Sequence, residues 1–227
     1  MAETATQETC PACEKPAGLC VCEAIAPIDN AIEVIVLRHP QEQDRILGTA
    51  RILALQLKHA SLKTGLSWPN LAKLIGRPAD PGQWGILYLG TAKSSSAQSE
   101  RILSAVSKDG DPLPDQDHLL AGLKGIILLD GNWQQAKALW WRNAWMLKCV
   151  RLTLRPPAPS LYGNLRREPR RESISTIEAA ALALSELQHD PQLPDKLLPP
   201  FKLLLKKASR QNSGTAIAAK PEKRWTS

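Results

Sequence analysis

The chain has 227 residues, of which 43% are hydrophobic and 22% are charged, a balance typical of a globular protein that can bury one sizeable core. No stretch approaches the about 20 apolar residues that span a bilayer, and the N-terminal residues lack the apolar core of a signal peptide. We therefore expect a cytoplasmic protein without a membrane partner. The formal net charge of +7 favours a polyanionic partner.

Four cysteines lie close together near the N-terminus, as a CxxC pair followed by a CxC pair. They are Cys10, Cys13, Cys20 and Cys22. Four thiolates at this spacing can enclose one tetrahedral ion, and zinc is the usual guest of an all-thiolate site. Two disulfides or a redox pair are the alternatives, which a cytoplasmic location disfavours. The sequence therefore predicts a zinc knuckle within residues 1–30. Its zinc would be structural, because four protein ligands leave it no open position.

After the knuckle, apolar periodicity predicts alternating strands and helices. The predicted strands are 32–37, 84–89, 124–129 and 149–154, and the predicted helices are 43–59, 97–106, 133–147, 176–187 and 196–207. This alternation is typical of an α/β fold, with a mostly parallel sheet and helices on both faces. Residues 31–207 are predicted to form one domain, with loops at 108–117 and 155–171, and residues 208–227 a flexible basic tail.

The segment LLDGNW, residues 128–133, places an acidic residue where a buried strand stops and a helix starts. In α/β proteins, ligands collect at the carboxyl ends of parallel strands. The free N–H groups of the following helix also attract anions. Asp130 is therefore a candidate site residue. The alternative is that Asp130 only caps the helix.

A second candidate site lies at residues 175–178 (STIE), which open the predicted helix 176–187. Ser175 and Glu178 have the spacing of a capping box, which is the structural interpretation. The functional interpretation is that this helix start faces a ligand, with Thr176 and Glu178 contacting it.

The loop that precedes this helix is strongly basic. Arginine side chains bind phosphate bidentately, and Tyr162 among them could stack on a base. A solvated charged loop is the alternative. The arginines of this set are Arg151, Arg155, Arg166, Arg167, Arg170 and Arg171.

Taken together, these features resemble the DTW-domain family of tRNA-uridine aminocarboxypropyltransferases. The resemblance covers residues 10–205 and rests on the knuckle, the HPQE segment at 39–42, DGNW at 130–133 and STIE at 175–178. The family name reflects an Asp-x-Thr-Trp motif, and Asn132 stands where threonine is expected. The family is distantly similar to SPOUT methyltransferases. The resemblance therefore implies a SPOUT-like catalytic domain with a C-terminal trefoil knot.

The resemblance implies an enzyme that transfers the 3-amino-3-carboxypropyl group of S-adenosylmethionine to N3 of a tRNA uridine, releasing methylthioadenosine. Because uracil N3–H is a weak acid, Asp130 is expected to act either as the base or as the anchor of the donor's ammonium group. Trp133 is expected to shape its pocket. The competing interpretations are a SPOUT-like RNA methyltransferase and a non-catalytic zinc-knuckle RNA-binding protein.

The expected ligand contacts follow from this resemblance. The protein is expected to be a monomer. The donor S-adenosylmethionine is expected to lie at strand-end loops and at a helix start, where N–H groups or an arginine would bind its carboxylate. These residues are Leu89, Gly90, Thr91, Leu128, Leu129, Asp130, Arg155, Ser175, Thr176 and Glu178. The residues expected to contact tRNA are His39, Arg166, Arg167, Arg170 and Arg171.

Overall fold

The computed structural model describes residues 8–42, 46–87, 101–165 and 174–218. Within them, six strands form one sheet in the order β2-β1-β5-β3-β6-β4. The strands are β1 (Glu33–Arg38), β2 (Ala60–Thr64), β3 (Trp84–Leu87), β4 (Leu103–Val106), β5 (Gly125–Asp130) and β6 (Val150–Leu154). Neighbouring strands run parallel except β4, which pairs antiparallel with β6. The predicted α/β fold with a mostly parallel sheet is confirmed.

Helices cover both faces of this sheet. They are α1 (Ala50–Gln56), α2 (Leu71–Ile75), α3 (Gln116–Ala121), α4 (Trp133–Arg142), α5 (Thr176–Gln188), α6 (Leu193–Leu197) and α7 (Pro199–Ala218). Side chains alternate along β1, so Val34 and Val36 join the apolar cluster under α1, α5, α6 and α7. Ile35 and Leu37 join the cluster under α2 and α4. Because both faces are buried, the central strands are almost continuously apolar.

The N-terminal segment packs into the same core as the helices. Cys13, Leu19 and Val21 are buried in one apolar cluster with Phe201 of α7. The Nζ atom of Lys207 donates a hydrogen bond of 2.6 Å to the carbonyl oxygen of Cys20. The cysteine-bearing segment is therefore anchored directly on α7. Among the residues with described structure, no helix combines the length and apolarity that crossing a membrane requires.

Two strands at the sheet edges were not predicted. Residues 103–106, predicted as the end of a helix, form β4, and residues 97–100 lie outside the described part of the chain. The four residues of β4 are all buried, and a short apolar run has no period that separates strand from helix. β2 has a mixed pattern of half-buried and exposed residues, since it is an edge strand paired only with β1. In both cases the pairing partner decides the structure.

Two predicted helices have different bounds. The predicted helix 43–59 is confined to α1, with residues 43–45 outside the described part. The predicted helix 133–147 ends at Arg142. There the buried Asn143 side chain donates hydrogen bonds to the carbonyl oxygen of Leu139 in α4 and to that of Leu66, which precedes α2. Residues 144–148 then form a 3-10 turn.

The C-terminal helices also differ from the prediction. The predicted helix 196–207 is divided between α6 and α7, with Pro199 as the first residue of α7. Proline fits this position because the first turn of a helix needs no N–H donor. α7 continues to Ala218, so residues 208–218 of the predicted tail are helical. The predicted loop 108–117 contains the first two residues of α3 at its end.

Candidate active site and cysteine cluster

The carboxyl ends of β1 and β5 lie side by side at one edge of the sheet. Arg38 and Asp130, their last residues, are register partners, and both side chains are buried. The hydroxyl of Thr176 donates a hydrogen bond of 2.6 Å to Asp130 Oδ1. Asp130 Oδ2 lies 3.4 Å from Nε of Arg38. The structure therefore brings together the strand end and the helix start that the sequence singled out, although 46 residues separate them.

Asp130 does not cap α4, because Asn132 does. The Asn132 side chain accepts a hydrogen bond of 3.0 Å from the backbone N–H of Gln135, and the Gln135 side chain accepts one of 2.7 Å from the Asn132 N–H. A threonine at this position could cap the helix in the same way, so the asparagine is a tolerable replacement. Gly131 is required here, since a Cβ would lie 2.8 Å from Cβ of Gln135. The Asp130 carboxylate instead contacts Thr176 and Arg38.

The start of α5 is fixed by the buried Glu178 side chain. Ser175 and Glu178 form the predicted capping box. Glu178 Oε2 also accepts a hydrogen bond of 2.8 Å from the Ser160 hydroxyl, and Oε1 accepts one of 2.8 Å from the backbone N–H of Leu161. Both carboxylate oxygens therefore have donors within the protein. This ties the loop after β6 to the helix start, while a direct ligand contact of Glu178 stays a prediction.

Arg38 connects Asp130 to the cysteine-bearing segment. Its Nη1 atom lies 3.3 Å from Oε2 of Glu14, and Oε1 of Glu14 lies 3.5 Å from Nε of Arg51. Glu14 has a left-handed backbone conformation with φ of 60° and directly follows Cys13. Sequence analysis missed Arg38 and Glu14. Arg38, like Asp130, is a polar residue at the end of a buried strand, so the same sequence signal could have identified it.

Lys15, the residue after the exposed Glu14, points inward. It is buried, and its Nζ donates a hydrogen bond of 2.6 Å to the carbonyl oxygen of Gly48. Burial lowers the pKa of Lys15 to about 8, and the nearby charge of Arg38 contributes in the same direction. Asp130 and Glu14 oppose this change. The turn between the two cysteine pairs therefore belongs to the electrostatic surroundings of Asp130.

The other predicted contacts are distributed around the same edge. His39 follows β1, is buried, and its backbone N–H donates a hydrogen bond of 3.0 Å to the Asp130 carbonyl oxygen. Leu128 is buried and Leu129 half-buried in β5. Arg155 follows β6 and is exposed. Trp133, the first residue of α4, is 44% exposed.

Several predicted residues cannot be placed. Those that lie outside the described residues are Leu89, Gly90, Thr91, Arg166, Arg167, Arg170 and Arg171. The expected stacking of Tyr162 on a base is wrong. Tyr162 is buried, its hydroxyl donates a hydrogen bond of 2.7 Å to the Leu47 carbonyl oxygen, and its ring packs edge-on against Phe201. The aromatic ring is part of the core that supports the loop.

The four N-terminal cysteines fit a single metal ion. Their Sγ atoms all lie within 4.8 Å of one another, with Cys10 and Cys22 separated by 3.6 Å and Cys13 and Cys20 by 3.8 Å. A tetrahedron of Zn–S bonds of about 2.3 Å has edges of about 3.8 Å. None of these cysteines is in a disulfide. Hydrogen bonds from the backbone at Cys13 and Ala12 lower the pKa of the Cys10 thiol to about 6, whereas burial raises the pKa of the Cys22 thiol to about 12.

The fold and this site define an α/β protein with a buried strand-end carboxylate near a cluster of four cysteines. The model of the DTW domain matches residues 7–209, and the chain belongs to the DTW-domain family.

Three relatives carry the name tRNA-uridine aminocarboxypropyltransferase 2. The Drosophila melanogaster protein is 30% identical over 87% of this chain and 73% of its own length. The Macaca fascicularis protein is 26% identical and the Mus musculus protein 29% identical, each over 86% of this chain. The chain spans 61% of the length of these two mammalian relatives. No solved structure matches the chain significantly.

Proposed function

We propose that this protein transfers the 3-amino-3-carboxypropyl group of S-adenosylmethionine to N3 of a uridine in tRNA, forming acp3U and releasing methylthioadenosine. The proposal depends mainly on the buried Asp130 carboxylate of this DTW-domain protein, which accepts a hydrogen bond from Thr176 at the carboxyl end of the central strand β5. The names of the three relatives supply the substrate and the transferred group.

The donor site is proposed at the carboxyl ends of β5 and β3. Leu128 and Leu129, with the loop residues 89–91, would contact the adenosyl part, while Arg155 and the start of α5 would bind the donor carboxylate. When bound, S-adenosylmethionine supplies a methylene carbon that is electrophilic because it is attached to a sulfonium. Trp133 would form a wall of this pocket, since it opens α4 three residues after Asp130.

Asp130 is proposed to act in one of two roles, as a base or as an anchor for the donor. As a base it would accept the N3 proton of uridine while N3 bonds to the methylene carbon and the carbon–sulfur bond breaks. As an anchor it would bind the donor's ammonium group instead. Thr176 and Arg38 hold the carboxylate in one orientation in either case. His39 is proposed to lie on the tRNA side, since it follows β1 at the same edge.

The tRNA contact is proposed to include Arg166, Arg167, Arg170 and Arg171. Arginine contacts with phosphate release counterions, so tRNA affinity should fall steeply as salt rises. A variant with all four changed to alanine is expected to bind tRNA more weakly and with a shallower salt dependence. Titrations at several salt concentrations measure both, and calorimetry should show unchanged binding of S-adenosylmethionine. Unchanged tRNA affinity would mean that the loop is only a solvated surface.

Arg38 is proposed to position Asp130. The change Arg38→Lys keeps the charge but loses the Nε–H group that faces Asp130. We expect kcat to fall by up to about 100-fold, with little change in KM for tRNA, because a misplaced reacting group costs rate rather than binding. Arg51→Lys is the matched control, since Arg51 also contacts Glu14 but is not paired with Asp130. Equal effects of the two changes on kcat would refute the positioning role.

The cysteine cluster is proposed to hold a structural zinc ion on Cys10, Cys13, Cys20 and Cys22. A SPOUT-like domain with a trefoil knot is also proposed. A monomeric state and a cytoplasmic location stay predictions from the sequence.

The nucleoside by-product tests the proposed reaction against its competitors. The protein is incubated with unmodified tRNA and S-adenosylmethionine, and the products are separated by chromatography. Methylthioadenosine is expected, whereas S-adenosylhomocysteine would indicate methyl transfer. Failure to bind S-adenosylmethionine at all would favour a non-catalytic RNA-binding protein.

A further inference from the structure

The outer face of α4 exposes an unusual combination of side chains. Trp141 is 72% exposed, and the lysine and arginine nearest to it in sequence, Lys137 and Arg142, are also exposed. The 3-10 turn that follows α4 adds Leu147, which is 57% exposed, and Lys148. Large apolar side chains grouped at the surface mark contact sites more often than singly exposed ones do. We call these five residues the α4 surface.

This surface is continuous with the candidate active site. Residues four apart on a helix are neighbours on one face, so Trp133, Lys137 and Trp141 form a single row. The row begins at Trp133, three residues after Asp130. At a rise of 1.5 Å per residue, Trp141 lies about 12 Å along the axis from Trp133. A molecule whose reacting atom lies near Asp130 can therefore reach the α4 surface if it extends along the helix.

The neighbouring tryptophans show why Trp141 is distinctive. Trp145 is buried, and its Nε1–H donates a hydrogen bond of 3.0 Å to the carbonyl oxygen of Trp68. The ring of Trp140 packs against the Arg151 guanidinium, 5.6 Å from the ring centroid. These two rings are held by the protein, one in α4 and one in the 3-10 turn that follows it. The Trp141 ring points to solvent, where it adds little to the stability of the fold.

The positive charge of the region favours an anionic partner. The sequence contains no Asp or Glu between Asp130 and Glu168, while the α4 surface carries Lys137, Arg142 and Lys148. A second copy of the chain is a poor partner, because a two-fold contact would bring these like charges together. Alternating rings and cations are instead suited to a nucleic acid strand, whose bases stack on aromatic rings while its phosphates contact the cations.

We propose that the α4 surface binds unpaired nucleotides of tRNA next to the target uridine. Trp141 stacks on a base, and Lys137 and Arg142 contact phosphates. The proposal rests on the proposed function, because it takes tRNA as the substrate of the Asp130 site. It adds a contact on α4, an element separate from the basic loop 155–171, so that the RNA is held by two elements.

The test compares Trp141→Ala with Trp141→Phe in titrations of unmodified tRNA. We expect the alanine variant to bind tRNA about 5- to 100-fold more weakly at unchanged salt dependence, because one stacked base is lost but no ion contact. The phenylalanine variant should retain most of the affinity. Lys137→Ala should reduce the slope of log affinity against log salt by about one. Lys202→Ala, at an exposed position of α7, is the matched control and should bind like the wild type.

The outcomes separate this proposal from the proposed reaction. If Trp141→Ala binds tRNA as tightly as Trp141→Phe does, the α4 surface is not an RNA contact, even if the protein modifies tRNA. If Trp141→Ala changes only the sedimentation coefficient, the surface is a contact between copies and the proposal is overturned. If Trp141→Ala weakens tRNA binding while the wild type makes no modified uridine, the RNA contact stands and the proposed reaction fails.

Discussion

Changing Asp130 to Asn is expected to lower the rate of aminocarboxypropyl transfer by about 10²–10⁴-fold if the carboxylate is the base. The asparagine keeps the size of the side chain and can still accept the hydrogen bond from Thr176, but it has neither charge nor basicity. Binding of S-adenosylmethionine and tRNA should be nearly normal in this case. Single-turnover kinetics with saturating donor and tRNA measure the rate of the chemical step.

The same change separates the base from the anchor. If Asp130 holds the donor's ammonium group, the affinity for S-adenosylmethionine should fall by about 1.5–3 kcal/mol, the usual worth of a hydrogen bond to a charged group. Calorimetry with the donor distinguishes the two results. Asp117→Asn, at an exposed ion pair with Arg101, is the matched control and should leave rate and affinity unchanged. Wild-type turnover in Asp130→Asn would remove Asp130 from the site.

Changing Cys13 to Ser is expected to abolish stoichiometric zinc binding. The Cys13 side chain is buried among apolar residues and supplies one of four closely spaced Sγ atoms, so its loss affects both the metal and the packing on α7. We expect the variant to melt at a lower temperature and to exchange its amide hydrogens faster in residues 10–24, because metal binding and local folding are coupled. Elemental analysis and hydrogen-exchange mass spectrometry measure these effects.

Cys149→Ala is the control for the change at Cys13. Cys149 is also buried, and burial raises the pKa of its thiol to about 12, but it lies outside the cluster. This variant should keep one zinc ion per chain. Wild-type protein stripped of metal should lose turnover together with the order of residues 10–24, because Glu14 reaches Arg38 from this segment. A metal-free protein that stays fully folded and active would refute the structural zinc.

The central strands could be predicted from sequence because they are buried on both faces. β1 and β5 are almost continuous apolar runs, and their predicted bounds differ from the observed ones by one residue. The edge strands β2 and β4 could not be predicted in this way, since pairing with distant residues determines their structure. Local periodicity contains no information about that pairing.

The residues of the candidate site could also be predicted only in part. Asp130 and Thr176 could be selected because each stands at a local boundary between a strand or loop and a helix. The link from Arg38 to Glu14 depends on the parallel register of β1 and β5 and on the fold of the turn after Cys13. The burial of Tyr162 depends on α7, which lies far along the chain. These contacts become visible only once the chain is folded.

Mass spectrometry of tRNA nucleosides tests the central claim most directly. Unmodified tRNA is incubated with the protein and S-adenosylmethionine, digested, and compared with a reaction that contains the Asp130→Asn variant. We expect a uridine that has gained one 3-amino-3-carboxypropyl group with the wild type, and far less of it with the variant. A uridine that has gained a methyl group, or unmodified tRNA despite binding of both substrates, would contradict the central claim.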